Sequence, residues 1–221
     1  MSNKFFVGLL VAIAVFVGGF IVLKQDGNGT NGSNSQPTNH VKGSESSGVT
    51  LTEYGDFQCS ACFDYEPIVS AVYEKYKDQI TFQFRHFPIV SRHPNAFSAA
   101  RAAEAAAKQG KFWEMHDILF QHAYQQTSAG PVPIDWAKSS NPTTFYESYA
   151  KELGLNVEQF KTDFASTEAN DFINADIAAA RYVPVDGTPT FLINGKKITT
   201  PTSFEEFSKL IDEAIKQKAG N

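Results

Sequence analysis

A run rich in strand formers, Val49 to Phe57, leads straight into Cys59-Ser60-Ala61-Cys62, and the chain has no other cysteine. From Cys59 to Tyr76 apolar residues then recur at helical spacing, among them Tyr65, Val69, Val72 and Tyr76. A cysteine pair at the start of a helix puts the first sulfur beside backbone N–H groups that lack an intrahelical partner. The helix dipole adds positive potential there, and both effects favour thiolate over thiol. A second thiol three residues on makes thiol-disulfide exchange the natural chemistry. Structural zinc usually takes four ligands, often from two such pairs, whereas this chain offers one pair and five scattered histidines, so no metal is expected. A purely structural bridge closing so short a loop would constrain the unfolded chain little. No cofactor is expected beyond the redox-active Cys59-Cys62 disulfide itself.

The order of elements is equally informative. Val49, Leu51 and Glu53 alternate with Thr50, Thr52 and Tyr54, and Ile80 to Phe87 alternates in the same way. Strand, helix, strand is the parallel crossover unit, with Pro67 expected to kink its helix. Helical patterns follow over 94–109, 111–125, 143–153, 157–165 and 168–181, punctuated by Gly110 and Gly154 as stops, Pro142 as a start and Asn156 with Gln159 as a capping pair. Strands return at Thr190 to Ile193 and Lys196 to Thr199 around Asn194-Gly195, a strong hairpin signal. Ser203 and Glu206 then open a last helix whose buried stripe is Phe204, Phe207, Ile211 and Ala214. Phe112, Trp113, Phe120, Tyr124, Tyr146 and Tyr149 read mostly as core, while His86 and His93 read as partly exposed, hydrogen-bonded histidines.

Ahead of this lies an apolar stretch, Phe5 to Leu23, bounded by Lys4 and Lys24 and close to the length that spans a bilayer. No small-residue cleavage pattern follows Leu23, which favours an uncleaved signal anchor over 1–24 against a removed signal peptide. Residues 25–47 are dominated by Gly, Asn, Ser and Thr and read as a flexible linker. All 24 acidic residues and all but two of the 19 basic ones lie from Gln25 onward, so this part is net acidic and nucleic acid is excluded as a partner.

In this order of elements the chain resembles the DsbA-like thiol-disulfide oxidoreductases of the thioredoxin superfamily. The resemblance rests on the cysteine motif after a strand, Pro67 inside the motif helix, the helical run after the second strand, and Gly187-Thr188-Pro189-Thr190 before the hairpin. It implies an α/β fold: a thioredoxin-like core from 48–90 and 184–221, an inserted helical domain at 91–183, and the transmembrane anchor in front. It also implies a cis bond between Thr188 and Pro189, facing the cysteines and offering the backbone of Thr188 to an extended substrate. Glu53, six residues before Cys59, matches the place of a buried acid near the second cysteine. Burial would raise its pKa and suit it to exchanging a proton with Cys62.

Catalysis is thus assigned to Cys59, Cys62 and Glu53, substrate binding to Thr188 and Pro189, and tuning to the Ser60-Ala61 dipeptide. The resemblance places the catalytic domain outside the cytoplasm, in a bacterial cell envelope. Its implied partners are reduced or unfolded extracytoplasmic proteins and a membrane oxidase of DsbB or VKOR type. Ala61 stands where the strongest oxidants of the family carry histidine and supplies no positive charge, so a reductase or isomerase role in the same compartment stays open. A non-catalytic, tethered polypeptide-binding module with a structural disulfide is the alternative from another class.

Overall fold

The computed structural model describes residues 36–220 of the 221. The apolar stretch Phe5 to Leu23 lies outside the described residues. Among those that are described, no helix is long and apolar enough to cross a membrane.

Strand-forming sequence alternating with amphipathic helix gives a five-stranded sheet in the order β1-β3-β2-β6-β7. The strands are β1 (His40–Gly43), β2 (Thr50–Gly55), β3 (Thr81–His86), β6 (Thr190–Ile193) and β7 (Lys196–Lys197). β2 runs parallel to β3, with Thr50 opposite Thr81 through to Gly55 opposite His86, across the right kind of connection: α1 (Ser60–Tyr76). On its other side β2 is antiparallel to β6, with Glu53 opposite Phe191. β2 was expected to show one buried face, yet Leu51 to Gly55 are all buried. The reason is its central place in the sheet, covered on both faces. Leu51 joins a core with Val69, Val72 and Tyr76 of α1 and with Phe207 and Ile211 of α8 (Phe204–Ala219). Tyr54, on the opposite face, packs with Ala180 and Leu192. Each large side chain so buried contributes about 1.5–3 kcal/mol of transfer free energy. Gly55 ends the strand where space forbids a side chain, since a Cβ there would meet a ring carbon of Phe84 at 2.4 Å.

Between β3 and β6 come α2 (Ala96–Ala107), α3 (Phe112–Gln121), a hairpin of β4 (Tyr124–Thr127) and β5 (Gly130–Pro133), and then α4 (Asp135–Lys138), α5 (Thr143–Glu152), α6 (Val157–Phe164) and α7 (Thr167–Ala179). The alanine face of α2, with Ala99, Ala102, Ala103 and Ala106, lets neighbouring elements approach closely around Trp136, Tyr146 and Phe160. Helix punctuation operates as read: Gly110 and Gly154 take φ of 73° and 71°, and the Asn156 side chain accepts from the Gln159 N–H. Ser203 likewise accepts from the Glu206 N–H, but the Glu206 carboxylate turns to Thr202 rather than closing a reciprocal box. α1 continues through Pro67 without a break.

Two sequence expectations are corrected. The linker assigned to 25–47 gives way to structure by His40: β1 pairs antiparallel with β3, Lys42 facing Phe82, and a short 3-10 turn follows at Glu45–Ser47. An edge strand of four residues, with polar His40 and Lys42 in it, carries too little periodicity to stand out from a polar tether. The helix assigned to 111–125 stops at Gln121, and the next residues form the β4–β5 hairpin. Its apolar spacing continued smoothly into Ala123 and Tyr124, but the Tyr124 hydroxyl donates to the carbonyl of Gln58 at 2.6 Å, which draws this residue to the cysteine motif.

Candidate active site

The motif turn is built by Asp56. Its Oδ1 accepts from the Gln58 N–H at 2.8 Å and its backbone oxygen from the Cys59 N–H at 3.0 Å. Its Oδ2 accepts from the Ile89 N–H at 2.8 Å and meets His93 Nδ1 at 2.7 Å. Gln58 adds a second tie, accepting from the Asn95 N–H and donating to the carbonyl of Ala137. The segment after β3 is thereby fixed against the cysteines. Sequence reasoning passed over Asp56, although an aspartate at a strand end is a turn-forming signal.

Cys59 occupies the N-cap of α1 in extended conformation, and Cys62 lies one turn inside. Both are free thiols here. They differ sharply. The Cys59 pKa falls to about 6: the Cys62 thiol donates to its sulfur, burial opposes, and the backbone N–H groups of Cys62 and Ala61 donate as well. Cys62, 1% exposed, is pushed well above the ordinary thiol value, first by desolvation and then by donating to Cys59. Ser60 is exposed and Ala61 half-buried, and a hydroxyl and a methyl bring no charge to the pair.

The Thr188-Pro189 peptide bond is cis. In its thiol form Cys59 donates to the carbonyl oxygen of Thr188 at 3.4 Å, which puts that backbone segment beside the reactive sulfur.

Glu53 is 5% exposed, and its pKa rises to about 8. Desolvation is the main cause, followed by the negative charges of Glu66 and Cys59, with Lys42 opposing. Glu53, Cys62, Glu66 and Lys42 line one small cavity of about 10 Å³, room for a single water. Lys42 stands over the rings of Trp113 and Tyr73 at 4.3 and 4.4 Å, and burial lowers its pKa. Lys42 falls within 25–47, whose composition reads as linker, so the sequence carries no signal for its place here.

The histidines also need correction. His86 is hydrogen-bonded as expected, its Nε2 meeting Glu104 Oε1 at 2.7 Å, but it is 1% exposed rather than partly exposed. His93 is partly buried as expected, but its partner is Asp56, whose hydrogen bond raises the His93 pKa against desolvation. The charges of Asp56 and the Cys59 thiolate raise it further.

A thiolate with a pKa near 6, its residue 7% exposed, makes a direct prediction. The rate of Cys59 alkylation by iodoacetamide should rise through a midpoint near pH 6 and level off above it, because only the thiolate reacts. A midpoint at pH 8 to 9, the ordinary range, would contradict the arrangement described.

The family described as thioredoxin matches residues 35–213. Among curated proteins, a Na(+)/H(+) antiporter NhaA 3 of Salinispora tropica is 36% identical over 176 residues, covering 80% of this chain but 24% of its own length. The chain thus spans about a quarter of the curated relatives it matches, and the antiporter name belongs to those longer proteins. Among solved structures, a thioredoxin-like oxidoreductase from Silicibacter pomeroyi superposes with a TM-score of 0.65 at 25% identity, covering 82% of this chain and 94% of its own. Wolbachia pipientis alpha-DsbA1 superposes with a TM-score of 0.67 at 19% identity, over 83% and 94% of the two chains.

Proposed function

Since the chain belongs to the thioredoxin family and has the fold of its DsbA-like thiol-disulfide oxidoreductases, we propose that it introduces disulfides into extracytoplasmic proteins through Cys59 and Cys62. The observation that carries this reading is the split between the two sulfurs, one held near pKa 6 and one pushed well up. In the oxidised enzyme a substrate thiolate attacks Cys59 Sγ, and the Cys59-Cys62 bond breaks. Cys62 leaves and takes a proton, for which neutral Glu53 is the donor. A second substrate thiolate then attacks the substrate sulfur of the mixed disulfide, and Cys59 leaves as a stable thiolate. The substrate loses two electrons and the enzyme gains them. Stabilising the Cys59 thiolate favours the reduced enzyme and so makes the disulfide a better oxidant.

In this reading Thr188 and Pro189 hold an extended substrate strand against Cys59, and the chain is anchored in a bacterial cell envelope by its apolar N-terminal segment. A quinone-linked membrane oxidase of DsbB or VKOR type removes the electrons. Ala61 favours a second reading, reductase or isomerase, because no imidazolium sits between the cysteines to stabilise the thiolate further.

Equilibration against glutathione separates these readings. A potential of about −120 to −180 mV is expected for a donor of disulfides. A value below about −250 mV with rapid exchange would replace the oxidase reading by a reductase. A bond inert to glutathione would leave only a structural bridge in a polypeptide-binding module.

A further inference from the structure

Two of the five scattered histidines come together far from each other in sequence. His40 of β1 and His86 of β3 both present Nε2 to the same oxygen of Glu104 on α2, at 2.5 and 2.7 Å. We propose that His40, His86 and Glu104 form a binding site for a divalent transition-metal ion of the zinc class, with a fourth coordination position open to solvent.

The donor set is the first support. Two imidazole nitrogens and one carboxylate oxygen lie within 4.8 Å of one another. Such a set suits zinc, nickel or copper and is poor for calcium or magnesium, which take oxygen ligands. Three protein ligands with one open position is a recurrent zinc arrangement. Glu104 supplies the carboxylate, its Oε1 facing both imidazoles.

Access is the second support. His86 and Glu104 are buried, but His40 and Glu104 also line a cleft of about 390 Å³ with Gln36, Thr38 and Lys108. This gives an ion a route in and leaves room for water as the fourth ligand. The Lys108 ammonium is held by Glu168 at 2.5 Å, so a positive charge at the rim is already paired. The cleft wall is firm as well, because Thr38 donates to Asp176 through both N–H and hydroxyl.

The rings are pre-oriented. His40 stacks on Phe112 with centroids 3.5 Å apart, and Phe84 and Phe112 meet His86 edge-on. Binding would replace two short N–H···O contacts by three metal bonds. Each Nε2 would give up its proton to solvent so that the neutral imidazole carries its hydrogen on Nδ1, and the carboxylate would withdraw by roughly 0.7 Å to reach tetrahedral spacing. The ion would then pin β1, β3 and α2 to one point. This site is separate from the cysteines, and its existence does not depend on the direction of thiol exchange.

The test uses the full chain in detergent with Cys59→Ser and Cys62→Ser, because reduced thiolates would themselves take zinc. Metal-stripped protein is titrated calorimetrically with Zn²⁺ and, separately, with Co²⁺ while visible absorption is followed. One equivalent of Zn²⁺ and intense four-coordinate Co²⁺ bands are expected. His40→Ala and Glu104→Gln should each lower affinity by about a hundredfold and remove the bands. Should Glu104→Gln fail to fold, His40→Ala alone decides, since His40 sits on an edge strand with its side chain 14% exposed. No saturable binding, or binding equally strong in the variants, would overturn the proposal.

Discussion

Cys62→Ala is expected to stop turnover and leave the protein covalently joined to its substrates. Without Cys62 the enzyme has no disulfide of its own to donate; the Cys59 thiolate, still at the N-cap, attacks disulfides already present in substrates, and no Cys62 remains to close on Cys59 and release them. Non-reducing gels of cells carrying the variant should show ladders of mixed disulfides that collapse on reduction. Cys59→Ala should show neither ladders nor exchange, because Cys62 is 1% exposed and its thiol is held protonated by desolvation. The Cys62 change also removes the donor that contributes most to lowering the Cys59 pKa, so the Cys59 titration midpoint should move upward from about 6. Normal turnover by Cys62→Ala would rule out the two-cysteine mechanism.

Glu53→Gln should slow the step in which Cys62 gains or loses its proton by about a hundredfold near neutral pH, the usual scale of general acid-base assistance. Wild-type Glu53, with a pKa of about 8, is largely protonated at pH 7 and donates as Cys62 leaves. In the reverse direction the carboxylate form is the base, so the resolving step should accelerate as pH rises through about 8. Glutamine neither gives nor takes a proton and should flatten both dependences. Stopped-flow Trp fluorescence between pH 6 and 9 would follow this, and an unchanged pH profile in Glu53→Gln would exclude the role. The effect on folding has the opposite sign. A carboxyl whose pKa is raised on folding costs stability once the unfolded chain can ionise it. Wild type should therefore lose stability relative to Glu53→Gln as pH rises from about 4 towards about 8.

The sequence made legible whatever depends on local pattern or fixed spacing. The parallel unit around α1, the caps at Asn156 and Ser203 and the turn at Asn194-Gly195 all follow from residues close together in the chain. The position of the cysteines at a helix start needed nothing more. What escaped was set by distant contacts. Lys42 meets the cavity of Glu53 and Cys62 through strand pairing rather than through any motif. Asp56 gains its importance from Ile89 and His93, more than thirty residues away. His86 looked half-exposed because a strand-end histidine usually is, while its burial comes from Phe57, Phe84 and Phe112, which close around it only in three dimensions. The Tyr124 bond to Gln58 likewise overrode a helical spacing that was real as far as Gln121.

β1 is the hem of the sheet, joined along four residue pairs to β3 and, among the described residues, to no strand on its other side. The N-terminal segment enters the domain through this hem. Any pull transmitted along that segment would load the two Thr38–Asp176 hydrogen bonds first and then peel the ladder from His40 pair by pair. Lys42 would leave the cavity before the rest of the fold gave way. A soluble fragment begun at Val49, the obvious choice from composition, would start already peeled: an open β3 edge, Glu53 without its nearby cation, and a spare groove into which another chain's strand could fit. A fragment begun at Gln36 keeps the hem sewn.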